Sequence, residues 1–493
     1  MKKTLLFILF PLLTMGQTKI GSDIDGEAAG DYSGSSVSLS NDGSILAVGA
    51  LFNKEAGTQN EAGSVRIYKN VSGTWTQIGA EINGEPGNNN DWSGYKVSLS
   101  GDGATIAIGA YGNDGNGENA GSVRIYTNVA GTWTKIGADI DGERADDLSG
   151  SSVSLSDDGT TVAIGSHSND DNGNDAGSVR VYKNVSGTWT KIGADIDGEA
   201  ANDRSGVSVS LSADGTILAI GAFNNNNTSG VDAGSVRVYK NVSGTWTKVG
   251  ADIDGEANMD NSGVCVSLSN DGSIVAIGAN RNDGSGADAG SVRVYKNVSG
   301  TWTKIGADID GEKAGDESGI DISLSSNGDV VAIGAYLNDG SGVDAGSVRV
   351  YKNVSGTWTK VGSDIDGEAA GDWSGLSVSI SGDGTTVASG AYLNDGNGNS
   401  SGSARVYNLS GVLSSESFVL SSSSVYPNPS SNTVNIDLSE DLTLEKVNVY
   451  NSLGQLIKTE KSNAVSVSSL SNGVYYFEII TDRGKETKTV LVK

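Results

Sequence analysis

One histidine, His167, and one cysteine, Cys265, bound the chemistry open to this chain of 493 residues. A single thiol supports neither a disulfide framework nor a thiolate metal cluster, and a single imidazole excludes histidine-rich metal sites. His167 has no nucleophile motif such as Gly-x-Ser-x-Gly beside it, so it reads as a variable loop residue. Acidic side chains are the remaining reactive stock. Asp316, Glu317 and Asp321 lie close together, and paired carboxylates are what general acid–base chemistry uses. Asn282-Asp283-Gly284-Ser285-Gly286-x-Asp288 and Asn338-Asp339-Gly340-Ser341-Gly342-x-Asp344 set oxygen donors at alternating positions, as calcium requires. Asp283, Asp288, Asp339 and Asp344 are therefore candidate calcium ligands, although Asn, Asp and Gly are also ordinary turn formers. Calcium is the one cofactor the sequence suggests.

Charge narrows the partners. Lys plus Arg total 33 against 60 Asp plus Glu, a net −27, which argues against nucleic acid and against docking on an anionic membrane. At the N-terminus, Lys2 and Lys3 precede an apolar run from Leu5 to Leu13, then Thr14-Met15-Gly16-Gln17. This is the pattern of a secretory signal peptide over 1–16, with cleavage between Gly16 and Gln17. The run is shorter than the ~20 apolar residues of a membrane span, and no later segment reaches that length. The chain is expected to leave the cytoplasm.

The elements that position these residues come from an internal repeat. Asp-Ile-Asp-Gly-Glu or its variant begins at Asp23, Glu81, Asp139, Asp195, Asp252, Asp308 and Asp364, a spacing of 56–58 residues. Each unit holds four short runs of period-two alternation, rich in Val, Ile, Thr and aromatics, and each reads as a strand. Asp-Gly pairs such as Asp42-Gly43 suit the hairpin between the first two runs, and Asn-Val-Ser-Gly closes the third onto the fourth. That closure sets Tyr68 opposite Trp75, so the six repeated Trp (75, 133, 189, 246, 302, 358) read as packing. The same hairpin accounts for the Asn-Val-Ser sequons at Asn70, Asn184, Asn241, Asn297 and Asn353.

Four strands in each of seven units predict a β-propeller. Unit seven ends at Ser403-Ala404-Arg405-Val406-Tyr407 with no Gly-Thr-Trp-Thr strand after it, and that strand stands at the front as Thr18-Lys19-Ile20-Gly21. A first strand that completes the last blade closes the ring, so residues 17–408 are predicted to form one closed, monomeric propeller. The 71 glycines, about twice the usual ~7 % share, then mark turns and not disorder.

The repeat resembles the FG-GAP repeat of integrin-α-type propellers over about 390 residues. Trp373-Ser374-Gly375-Leu376-Ser377-Val378 stands where that family has Phe-Gly-x-Ser-Val. Ile333-Gly334-Ala335 stands for its Val-Gly-Ala-Pro, and Gly346-Ser347-Val348-Arg349-Val350-Tyr351 for its Gly-x-Val-Tyr-Val-Tyr. Ser replaces the Phe, the Pro is missing, and the family's calcium loop has shrunk to x-Asp-Gly. The family's calcium site therefore does not transfer to that turn.

Variation between units concentrates at one end of the ring. The residue before Ser-Gly is Tyr32, Trp92, Leu148, Arg204, Asn261, Glu317 and Trp373 in turn. The residue after Gly-Ala or Gly-Ser is Leu51, Tyr111, His167, Phe223, Asn280, Tyr336 and Tyr392. Units seven, one and two adjoin in a closed ring, so Trp373, Tyr32 and Trp92, with Tyr392 and Tyr111, are expected to form one aromatic patch for a glycan or protein ligand. The competing expectation is that these rings fill gaps between blades. Cys265 stands where Ser36, Ser152, Ser208 and Ser377 do, as a small neutral replacement.

Residues 409–424 read as a Ser-rich linker, and 425–493 as a small Ig-like β-sandwich of alternating strands. This end is similar to the type A C-terminal sorting domain of type IX secretion cargo, found in Bacteroidetes. The matching residues are Tyr426-Pro427-Asn428-Pro429, Asn451-Ser452-Leu453-Gly454-Gln455, Leu470-Ser471-Asn472-Gly473-Val474-Tyr475 and the basic end through Lys493. The resemblance implies type IX secretion machinery and a sorting protease as partners, with export across the outer membrane. A secreted, surface-displayed binding or adhesion module is the expected function. A surface glycan-processing hydrolase or lyase is the alternative.

Overall fold

Alternation of Val or Leu with Ser builds the innermost strand of each repeat, and a nearly continuous apolar run builds the second. In the first repeat these are Ser33–Leu39 and Ile45–Ala50, the latter buried at every position. Ser64–Val71 and Thr74–Gln77 follow as an antiparallel pair, giving the sheet order innermost to outermost in chain order. The computed structural model describes residues 17–54, 61–85, 90–413, 423–438, 443–481 and 484–493. These fall into two compact units, Thr18–Leu409 and Ser410–Lys493. The expected signal peptide and most of the Ser-rich stretch lie outside the described residues, while Ser410–Leu413 forms one helical turn.

Asp-Ile-Asp-Gly-Glu is more than a loop. Its central pair forms a fifth, two-residue strand: Ile82–Asn83 pairs with Val65 and Ser64 of the third strand, and the same pairing recurs in every repeat. Burial of the Ile explains why it recurs, with Ile24, Ile82 and Ile140 each 6 % exposed.

The strand displaced to the front closes the ring. Thr18 pairs with Asn408 and Lys19 with Tyr407, which completes the seventh sheet, and Ile20 N donates to Val406 O at 2.7 Å. Each innermost strand packs against the next around the circle, and Ser374–Ile380 returns to Ser33–Leu39. The unit is a seven-bladed β-propeller.

Its blades approach closely where Gly49 and its equivalents lie on the neighbouring backbone. A Cβ at Gly49 would run into Gly94 O, which restricts the position to glycine. One end of the central channel is closed by main chain. The hairpin between the first two strands is a four-residue loop, Ser40 N donating to Ile45 O, and this frees Asn41 to bond sideways. Asn41 N donates to Gly101 O, and the sequence continues through Asp157, Ala213, Asn270, Ser326 and Gly382 back to Asn41 O, at 2.8–2.9 Å throughout. Over this seven-membered ring the Asp157 carboxylate accepts from Asn41 Nδ2 at 2.7 Å and Asn270 Nδ2 at 3.0 Å. Gly101 leaves room for that contact, since a Cβ there would stand 2.6 Å from Asn41 Nδ2.

The tryptophan register differs from the expectation. Trp75 pairs with Asn70, and Tyr68 with Gln77, because the turn is a two-residue loop. Its residues Ser72 (φ 52°) and Gly73 (φ 87°) both adopt positive φ, as a type I′ turn requires. Each indole instead reaches the preceding blade: Trp75 Nε1 donates to Ile20 O at 3.0 Å and Trp246 Nε1 to Ile192 O at 3.0 Å. Packing remains the role of these residues, now between blades.

The C-terminal unit is a sandwich of a three-stranded sheet (Ser423–Tyr426, Thr433–Leu438, Ala464–Ser466) and a four-stranded one (Leu456–Glu460, Leu444–Asn451, Gly473–Thr481, Gly484–Val492). Alternate residues of both face inward, with Val434, Val447, Val449, Phe477, Ile479 and Val490 fully buried.

Candidate functional site

At the open end of the channel, the residue before each Ser-Gly sits in left-handed backbone. Tyr32, Trp92, Leu148, Asn261 and Trp373 have φ of 55°, Arg204 has 53° and Glu317 has 49°. For a residue with a Cβ this conformation costs about 1–2 kcal/mol, and glycine would remove the cost. Six different side chains occupy these seven positions nonetheless, at the end of the ring where the innermost strands begin.

In four adjoining blades those side chains form a continuous arc of eight rings. Centroids lie 4.4 Å apart for Tyr95–Tyr111, 4.8 Å for Tyr111–Trp92, 6.2 Å for Trp92–Phe52 and 4.9 Å for Phe52–Tyr32. The arc continues through Tyr32–Tyr392 at 5.5 Å, Tyr392–Trp373 at 5.6 Å and Trp373–Tyr336 at 5.2 Å. All eight are half-buried. Trp92 is the packed member: its indole N–H is buried without an acceptor among the described residues, and a Cβ at Gly112 would stand 2.9 Å from its ring. The five rings expected from the sequence are thus brought together, and Phe52, Tyr95 and Tyr336 join them. Tyr95 carried a readable signal, since it stands where the other repeats have Ser, Val, Ile or Leu.

The acids expected to work together are separated by their partners. Asp316 is buried in its own turn, accepting from Lys313 N at 3.1 Å and Asn338 Nδ2 at 3.0 Å. Glu317 accepts from Asn280 Nδ2 at 2.8 Å and Tyr336 Oη at 3.0 Å on the rim, while Asp321 lies in the channel. No acid–base pair forms from Asp316 with either. The candidate calcium ligands belong to no group of three or more converging acids among the described residues. Asp283 Oδ1 accepts from Asp288 N, and Asp339 Oδ1 from Asp344 N, both at 2.9 Å, so each loop is closed by its own Asp. Among the described residues, the three acids that do converge are Glu143, Asp171 and Asp195, which include none of the four. Arg144 and Lys191 already pair with that group. The repeated Asp that opens each Asp-Ile-Asp-Gly-Glu is likewise engaged, as in the Lys191–Asp195 pair at 2.7 Å.

Channel walls are built by serine. Ser38 Oγ accepts from Leu99 N of the next blade, and equivalent bonds at 2.9–3.0 Å lead through Ser98, Ser154, Ser210 and Ser267. Ser323 and Ser379 complete that circle. One layer nearer the mouth the circle is broken. Ser36, Ser208 and Ser377 still accept from Val97, Val266 and Val37 at 3.0–3.1 Å. The equivalent position carries Lys96 in blade two, Cys265 in blade five and Asp321 in blade six. Asp321 keeps the bond, accepting from Val378 N at 2.8 Å and also from Cys265 Sγ at 3.1 Å. Burial, with the Asp321 charge beside it, pushes the Cys265 thiol well up, so it stays protonated. Lys96 has no acceptor atom to offer Val153. Its own ammonium has no hydrogen-bond or ion-pair partner among the described residues. Burial lowers Lys96, but the facing charges, Asp321 foremost, outweigh it and hold the group above its ordinary value. Lys96 was missed at the sequence level; its signal was a cation in a column of small residues.

His167 also lines the channel, Nδ1 2.8 Å from Ser151 Oγ. Burial, with Arg204 nearby, brings it down to about 4.

In the C-terminal unit, Asn428 between Pro427 and Pro429 grips the last strand, donating to Thr489 O at 2.8 Å and accepting from Leu491 N at 2.9 Å. Lys493 N donates to Ser430 O. Tyr475 is buried in the core and its hydroxyl donates to Ser471 O at 3.0 Å. Tyr426 lies in a strand and is exposed, Gly454 takes φ 77° in a turn, and Gly473 opens its strand.

The fold and its repeats define an all-β, seven-bladed propeller joined to a β-sandwich. The chain carries FG-GAP repeats, matched by the family model at residues 75–126, 135–182 and 365–407. It also carries a secretion system C-terminal sorting domain, matched at 424–493. That domain belongs to type IX secretion, is Bacteroidetes-like, and directs export, to the cell surface or the medium. No curated protein matches the sequence. Among solved structures, the chain is similar to a Bacteroides uniformis protein described as a 6-phosphogluconolactonase (13 % identity, 68 % of this chain and 85 % of that one, TM-score 0.48). It is also similar to hydrazine synthase of Kuenenia stuttgartiensis (14 %, 75 % and 94 %, 0.45). A third is the periplasmic gluconolactonase of Pseudomonas aeruginosa (15 %, 87 % and 95 %, 0.45). Among the described residues no helix is long and apolar enough to cross a membrane.

Proposed function

We propose that this exported propeller is a binding module, and that it takes saccharide ligands on the aromatic arc at the open end of its channel. The observation that carries the reading is the arc itself: eight half-buried rings across four blades, three of them (Tyr32, Trp92 and Trp373) on left-handed backbone. Backbone held in a costly conformation, at positions that differ between otherwise similar repeats, is a pointer to function. Flat rings with an apolar face and polar edges suit the faces of pyranose rings. Binding is favoured over catalysis because Asp316, one of the acids expected to do chemistry, is engaged by Lys313 N of its own turn and by Asn338 of a later loop.

A glycan array probed with the full chain tests this, followed by calorimetry on the strongest hits. Trp373→Ala and Tyr392→Ala are expected to weaken binding at least tenfold while melting stays within a few degrees of the parent. Binding retained in variants that melt early would mean that the rings only pack the blades.

A further inference from the structure

The channel below the arc is a blind pocket. Its far end is closed by the seven-membered main-chain ring, which the Asn41–Asp157–Asn270 contacts brace. The cavity measures about 500 Å³, within the ~300–1,000 Å³ of small-molecule sites, and Phe52, Tyr95 and Tyr392 of the arc line it. Lys96 also lines it.

We infer that this pocket receives the carboxylate of an acidic sugar residue, with Lys96 as its cationic anchor; the inference rests on the saccharide reading of the arc. Four other repeats place serine at the Lys96 position, and three of those serines bond the next blade. Lysine forgoes that bond and has no hydrogen-bond or ion-pair partner among the described residues, Asp321 acting on it only as a charge across the channel. An ammonium that lines a channel without a hydrogen-bond acceptor favours an anionic ligand oxygen strongly. The anion is a single negative charge. Lys96 and Asp321 are the charged side chains on the cavity wall, and they stand on far sides of the ring in blades two and six. A dianionic phosphate would meet Asp321 with no second cation to balance it, whereas a carboxylate matches one ammonium. Asp321 is fixed by the Val378 N–H and the Cys265 thiol, so it is positioned to repel a carboxylate from its own side and favour the Lys96 side. The wall hydroxyls of Ser36, Ser208 and Ser377 accept from main chain and retain an O–H to donate to sugar oxygens.

The test is calorimetry on the full chain with methyl glucuronide, methyl glucoside and a glucuronide-terminated disaccharide. Methyl glucuronide is expected to bind at least tenfold more tightly than methyl glucoside. Lys96→Ser, which installs the residue of the other repeats and so is compatible with the fold, should abolish that preference without lowering the melting temperature. Lys96→Arg should keep it. Tight binding of the disaccharide alone would assign the carboxylate to a chain end; binding of both acidic probes would include the free sugar. Equal affinity for glucuronide and glucoside, lost in Trp373→Ala, would overturn the anchor and leave the arc reading standing. Binding of neither sugar would overturn both.

Discussion

Asn41 Nδ2 donates to Asp157 Oδ2 at 2.7 Å although a whole blade lies between the two residues. The same oxygen accepts from Asn270 at 3.0 Å, so one carboxylate joins blades one, three and five over the axis. Asp157→Ala removes both charge-assisted bonds and leaves two amides without their acceptor. It should destabilise the propeller by about 2 kcal/mol. Denaturant unfolding checks this, and an unchanged midpoint would show that the contacts add nothing to stability.

Trp246→Phe keeps an aromatic ring between blades and deletes only the bond from Nε1 to Ile192 O. A loss of about 1 kcal/mol is expected. The measurement is again the unfolding midpoint, compared with Trp246→Leu, which should cost more because ring packing goes too.

Ala130 is exposed and adopts φ 51° in a hairpin whose equivalents hold Ser. Asn tolerates left-handed backbone, and Asn-Gly is the preferred pair for this turn. Ala130→Asn should therefore raise stability by about 0.5–1 kcal/mol, seen as a higher melting temperature; a fall would mean that the turn residue is chosen for another reason.

His167 is the one histidine, so NMR should show a single imidazole signal to follow with pH. Burial, then Arg204, lowers it to about 4, below the ~6.5 of an unfolded chain. The folded state thus favours the neutral ring. Its contribution is fully present above about pH 6.5 and is lost as pH falls from there through 4, on the order of 3 kcal/mol in all. A titration midpoint near 6.5 in the folded chain would contradict the buried placement.

Strands and ring closure were legible because period-two alternation and a strand displaced from end to front are properties of residue order. The arc was legible as five rings at variable positions; Phe52 stands outside the two columns compared, and so does Tyr95, whose signal was an aromatic ring among Ser, Val, Ile and Leu. The Trp75 register was misread because Ser72 takes a left-handed conformation that its residue type does not announce, which shortens the turn to two residues. Asp316 looked reactive in order along the chain, whereas its partners Lys313 and Asn338 are supplied by two separate loops of the same blade. The main-chain ring at the closed end was invisible, because peptide groups bond there irrespective of whether the side chain is Asn41, Gly101 or Ala213.

That ring has an electrostatic consequence for the channel above it. All seven N–H groups point in the same rotational sense, each at the carbonyl of the next blade. Peptide dipoles arranged head to tail around a circle cancel within the plane, unlike those of a helix, which add along its axis. The floor of the channel therefore imposes no lateral field of its own, and the sideways pull on any charged guest is left to Lys96 on one wall and Asp321 on the other.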